Sequence, residues 1–134
     1  MNPAERVRAY YEDLNSGDAD AVARHFTDDA VHYYTRRAPH LGARAIAENA
    51  AAAVNHLAAR WELECLAGEE EPIAIEWSMA FDHPTKGTRM LDRGAELFRF
   101  RDGLICEIRA YYNERGGDLM GFDHAGRGHA VLGS

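Results

Sequence analysis

The sequence predicts an α+β domain in which three N-terminal helices and a curved antiparallel sheet enclose a cone-shaped pocket. Two observations predict it. Apolar residues at helical spacing dominate up to about residue 58, whereas period-two alternation takes over from residue 60 to 112. A third observation places chemistry on that frame. In the hairpin Thr88–Asn113, Asp92 and Glu96 share strand parity with Met90, Phe98 and Phe100. Solvent-facing acids should take the opposite parity, so acids among inward phenylalanines mark a candidate site.

The elements follow in order. Residues 3 to 15 read as a helix, with Asn2 as N-cap, Pro3 in the first turn and Glu5 at the capping-box position. Val7, Tyr10, Tyr11 and Leu14 form its apolar stripe. Asn15-Ser16-Gly17 ends it, and Asp18 caps a short second helix reaching about Phe26. Thr27-Asp28-Asp29 reads as a turn and Ala30 to Thr35 as a short strand, with His32 and Tyr34 on one face. Arg36 to Gly42, which contains Pro39, reads as a loop. A third helix runs from about Ala43 to Ala58, with Ile46, Ala50, Ala53, Val54 and Leu57 inward. So much alanine on a buried face implies either close packing or unfilled space.

Three stretches of strand character follow. Arg60 to Ala67 turns Trp61, Leu63 and Cys65 to one side, and Ile73 to Phe81 does so with Ile73, Ile75, Trp77, Met79 and Phe81. The polar turn Asp82–Gly87 leads into the last hairpin. Its tip sets the facing. A two-residue loop at Asp102-Gly103 puts Glu96 opposite Arg109; a three-residue loop at Arg101-Asp102-Gly103 puts Glu96 opposite Ile108 and Asp92 opposite Tyr112. Both are open, and the second is preferred because it gathers Ile108, Ala110 and Tyr112 with the phenylalanines. Residues 1–113 are thus expected to form one domain, and 114–134 a glycine-rich tail containing His124 and His129.

Composition excludes several classes. The 134 residues suit one domain with a real core. A net charge of −7 argues against a nucleic-acid surface. No apolar run approaches the ~20 residues of a membrane span, and Met1-Asn-Pro-Ala-Glu-Arg6 lacks a signal-peptide pattern, so a cytoplasmic protein is expected. Cys65 and Cys106 read as small buried hydrophobes. His25, His40, His56 and His83 are scattered without metal spacing, and no phosphate loop or nucleotide fingerprint is present, so neither metal nor cofactor is expected.

Several segments together resemble the nuclear transport factor 2-like superfamily, and within it the SnoaL-like and ketosteroid-isomerase-like proteins. They are Tyr10–Asp18, His25–Val31, Gly42–Ile46, Glu96–Phe100 and Asp102–Tyr112. The resemblance spans residues 3 to 113 and implies a cystatin-like α+β barrel. In ketosteroid isomerases a helix-one tyrosine falls at the position of Tyr10 and a protonated acid at that of Glu96, while the general base falls where this chain has Tyr34. In limonene-epoxide hydrolases a catalytic acid falls at the position of Ala110. Neither family's full set is therefore present, and His32 is a possible replacement base.

The expected activity is cofactor-independent acid/base catalysis on a small hydrophobic organic substrate, next to a carbonyl, of isomerase, cyclase or dehydratase type. A non-catalytic binding or dimerisation module and an epoxide-hydrolase-like enzyme are the alternatives. The candidate catalytic residues are Tyr10, His32, Asp92 and Glu96, with Glu96 raised in pKa by its apolar setting. Tyr34, Asn49, Trp77, Phe98 and Tyr112 are expected to contact substrate. Leu97, Ile105 and Tyr111 on the outer sheet face predict a homodimer interface. A pocket of ~300 Å³ or more reaching Glu96 would favour ligand binding over the closed module.

Overall fold

A computed structural model describes residues 1–112; the expected tail, with His124 and His129, lies outside the described residues. Three helices, α1 (Pro3–Leu14), α2 (Ala19–Ala23) and α3 (Ala43–Leu57), pack on a six-stranded sheet. The strands are β1 (Phe26–Tyr34), β2 (Arg37–Leu41), β3 (Arg60–Ala67), β4 (Ile73–Asp82), β5 (Arg89–Arg101) and β6 (Leu104–Tyr112). Their order is β2-β1-β6-β5-β4-β3, with β1 and β6 parallel and the other pairs antiparallel. The α+β class holds. The sheet curves but stays open, so the expected barrel is not closed.

Helix α1 forms as its capping signals require. The Asn2 side chain accepts from the Glu5 amide, and the Glu5 carboxylate accepts from the Asn2 amide. Its stripe of Val7, Tyr10, Tyr11 and Leu14 is buried. Asn15 then ties the helix end to β3: its Nδ2 donates to the Trp61 carbonyl at 2.9 Å and its Oδ1 accepts from the Trp61 amide at 2.7 Å. The alanines of α3 serve both purposes. Ala43, Ala47 and Ala50 pack in the core, and Ala50 and Ala53 also border open space.

Three expectations about local structure are corrected. Helix α2 ends at Ala23, and β1 begins at Phe26, running through the presumed turn Thr27-Asp28-Asp29. The presumed loop 36–42 contains β2, which pairs with β1 in the register Tyr34↔Arg37 and His32↔His40. It is an edge strand, where Pro39 costs no ladder bond. Cys65 is exposed because a register shift between Leu63 and Cys65 turns Leu66 inward in its place.

The last hairpin combines the two turn readings. Asp102 and Gly103 both take positive φ, at 54° and 79°, and form the two-residue loop, with Arg101 opposite Leu104. Taken alone, that turn would aim Glu96 outward. A register shift then leaves Cys106 unpaired between Phe100↔Ile105 and Arg99↔Glu107. It moves every later pair by one residue, so Glu96 faces Ala110 and lies on the side of Ile108 and Tyr112. Asp92 pairs with Met79 on β4, because β6 ends opposite Gly94. The shift also turns Ile105 into the core, where it is fully buried, so it cannot belong to an outer interface.

Candidate active site

All six strands and helices α1 and α3 contribute to the lining of a cavity of about 260 Å³. That lies just under the lower end of the usual ligand-pocket range, ~300 Å³, and suits a small ligand. The buried part of its lining includes Tyr10, Tyr11, His32, Trp77, Glu96 and Ala110. Arg37 and Asn49 are exposed lining residues and form its rim.

Glu96 is the centre of the polar set. It is only 5% exposed, among apolar neighbours. One carboxylate oxygen, Oε1, accepts from the Tyr11 hydroxyl at 2.5 Å. The other, Oε2, lies 3.3 Å from His32 Nε2. A carboxylate partner fixes Nε2 as the donor and leaves Nδ1 of a neutral imidazole with its lone pair. His32 is 6% exposed, and its Nδ1 has no hydrogen-bond partner. Such a group is costly to bury unless something uses it.

The tyrosines hold their protons. Burial first, and Glu96 second, push Tyr10 and Tyr11 well above the ordinary phenol range. Tyr34 is raised by the same two causes. Its hydroxyl lies 2.8 Å from His40 Nδ1, and its ring centroid is 4.2 Å from that of His32. His40 is pushed below its ordinary value, first by burial and then by Arg37. Trp77 and Tyr112 close one wall, their ring centroids 5.8 Å apart.

The structure thus brings Tyr10, His32 and Glu96 to one cavity, together with Tyr34, Asn49, Trp77 and Tyr112. Two expected residues are not at its wall. Phe98 is fully buried, paired with Ile108 and Ile73, and packs 6.1 Å from the Tyr10 ring. Asp92 lies beyond Gly94, over which Trp77 and Tyr112 lean: a Cβ at Gly94 would stand 2.7 Å from the Trp77 ring and 2.8 Å from Tyr112 Cβ. Asp92 is half-buried, with Oδ1 unpartnered, and burial raises its pKa to about 6.

Reading the sequence missed Tyr11 as a partner of Glu96 and Arg37 as a lining residue. Tyr11 was visible in the α1 stripe. Neighbouring helical residues differ by about 100°, so Tyr10 and Tyr11 can both face inward, one on the phenylalanines and one on Glu96. Arg37 carries no signal in the sequence, because the segment around it reads as a loop. Among the described residues no three His, Cys, Asp or Glu side chains converge into a metal-holding group, and no helix is long and apolar enough to cross a membrane.

The SnoaL-like domain family model matches residues 7–108. The chain belongs to the SnoaL-like family. No curated protein matches it. Among solved structures, this SnoaL-like chain is similar to a protein of unknown function with a cystatin-like fold from Methylobium petroleophilum PM1. They share 28% identity over 97% of this chain and 88% of that one, with a TM-score of 0.71. It is also similar to a ketosteroid isomerase-like fold protein from Catenulispora acidiphila DSM 44928, in complex with trimethylamine. Here identity is 18%, coverage 87% and 90%, and TM-score 0.75. A third is SalBIII, an epoxide hydrolase/cyclase-like enzyme in pyran ring formation in the polyether salinomycin. Identity is 20%, coverage 84% and 92%, and TM-score 0.71. The SnoaL-like fold is therefore shared, with the ketosteroid isomerase-like variant among its forms.

Proposed function

We propose that this SnoaL-like protein is a small-molecule enzyme that moves a proton at a carbon next to a carbonyl, without a cofactor. One observation carries the reading: a buried histidine lines a cavity, held at Nε2 by the buried Glu96, with Nδ1 unpartnered. The family, and the enzyme SalBIII among the similar structures, support a small-molecule enzyme.

In the proposed step, the His32 ring turns its buried Nδ1 onto the substrate carbon and takes the proton, and the C–H electron pair moves into an enolate. Glu96 orients the ring and balances the imidazolium that forms. Tyr11 holds Glu96 in place through its hydrogen bond. Tyr10, still protonated at neutral pH, donates to the enolate oxygen. Returning the proton to a second carbon gives isomerisation; loss of a β-hydroxyl gives dehydration; attack of the enolate on a second carbonyl gives cyclisation. Asp92 takes no part in this step, since Gly94 and its two aromatic neighbours lie between it and Glu96. Tyr34 stands where ketosteroid isomerases carry their base, and His32, two residues earlier on the same strand, takes over the role.

The test is hydrogen–deuterium exchange at the methyl group of acetophenone in deuterated water, followed by NMR. The wild type is expected to accelerate exchange, and Glu96→Gln to lower the enzymatic rate by ~10²-fold. Equal rates in the two proteins would remove Glu96 from the mechanism.

We also propose a homodimer paired through the outer sheet face. Tyr33, Leu97 and Tyr111 are exposed there at 42%, 36% and 53%, flanked by the ion pairs of Glu107 with Arg99 and Arg109. Large exposed apolar groups rimmed by charge suit such an interface.

A further inference from the structure

We propose that the ligand of this cavity carries an anionic oxygen group, such as a carboxylate, in addition to its carbonyl, and that Arg37 at the rim binds it. The inference rests on the cavity being the substrate site and adds the substrate's charge.

The argument begins with the β1–β2 turn. Tyr34 pairs directly with Arg37 across a two-residue loop in which Arg36 takes φ of 59°. This tight return puts Arg37 on the same face as Tyr34, above the cavity rather than in the loop beyond it. The guanidinium lies 5.1 Å from the centroid of the Tyr34 ring. A guanidinium on an aromatic face is held in direction while its N–H edge stays available to an acceptor. The platform is itself fixed, because His40 Nδ1 lies 2.8 Å from the Tyr34 hydroxyl.

Charge complementarity points the same way. Elsewhere Arg44, Arg89, Arg99 and Arg101 each sit against a carboxylate. Among the described residues, Arg37 meets an aromatic ring instead, in a chain whose acids outnumber its basic residues 22 to 15. Its neighbour His40 is driven toward neutrality by burial and by Arg37 itself. The rim's positive charge is therefore Arg37, whereas the acid at the floor, Glu96, already holds Tyr11 and His32. An acid group seated at the rim pairs with the guanidinium in a fork geometry. The flat apolar body of the ligand then lies along Tyr34, Trp77 and Tyr112, and its carbonyl reaches the floor.

The probe pair is 4-acetylbenzoate and its neutral analogue 4-acetylbenzamide. Both of the chain's tryptophans, Trp61 and Trp77, line the cavity, so intrinsic fluorescence reports on occupancy. Wild type is expected to bind the acid about five- to tenfold more tightly than the amide at low salt. Arg37→Gln should bring that ratio to about one and leave amide affinity within about twofold; Arg37→Lys should keep part of the preference, since charge survives and the fork is lost. A ratio near one in wild type, or an unchanged ratio in Arg37→Gln, overturns the proposal. If both probes bind equally and the acetophenone exchange persists, the charge assignment fails and the proton-transfer reading stands. If the preference is found but exchange is absent, the ligand class stands and the catalytic reading fails. If neither probe perturbs the tryptophans, the proposed ligand class falls with the site.

Discussion

At the scale of single residues, the site depends on where polar atoms are left buried. Asp92 provides a test in pH. Burial raises its folded pKa from the ordinary aspartate value of 3.8 to about 6. The native state therefore holds its proton more tightly than the unfolded chain. The associated stability is fully present below about pH 4 and is lost as pH rises through about 6. Asp92→Asn should raise the melting temperature at pH 7 and leave it unchanged near pH 4. Allowing for solvent screening of a half-exposed group, the gain is about 1 kcal/mol, read by thermal melts at the two pH values. Gly94 provides a second test. A methyl group there would stand 2.6 Å from the Tyr111 carbonyl oxygen as well as against Trp77. Gly94→Ala should cost ~1–3 kcal/mol in urea unfolding, because the backbone oxygen cannot step aside.

Glu96 was legible at this scale, since parity alone put it among phenylalanines. Its partner was not. The family count pointed to Tyr10, but the hydroxyl that reaches Glu96 is that of Tyr11. A one-residue step on a helix turns a side chain from one wall to another, and no local pattern shows which wall holds the acid.

Among the elements, the long strands and both long helices could be read directly, because each carries an uninterrupted period. The misread parts are those where pairing overrides composition. Strand β2 is exposed along nearly all its length and contains Pro39, so it has no alternation to find. The start of β1 looks like a turn because Thr27-Asp28-Asp29 are turn formers; the strand runs through them where the β1–β6 register shifts. In the hairpin, the turn preferred from the sequence was wrong while the facing was right. A register shift near Cys106 compensates for the shorter loop, and period-two reasoning has no means of placing an unpaired residue. Asn15 supplies the element-scale prediction. Its paired bonds to the Trp61 backbone fasten α1 to β3 beside the cavity. Asn15→Ala should lower stability by ~1–2 kcal/mol in chemical denaturation and shift the Trp emission of the folded state. No change in either would show that the docking of α1 rests on its apolar stripe alone.

For the whole molecule, a curved open sheet closed by helices leaves a central space that alanines on α3 do not fill. The outer face of the same sheet carries Tyr33, Leu97 and Tyr111 into solvent. Light scattering is expected to give twice the mass of one chain, and Tyr111→Glu the mass of a single chain; a monomeric wild type would refute the pairing. The central claim concerns the inner face, where His32 is oriented by Glu96 to take a proton. It is tested most directly by the exchange rate of the acetophenone methyl group with His32→Gln, using tryptophan fluorescence to confirm that 4-acetylbenzamide still enters the cavity. The account predicts a fall of ~10²-fold or more in exchange with binding within about twofold of wild type. Undiminished exchange in that variant would contradict it.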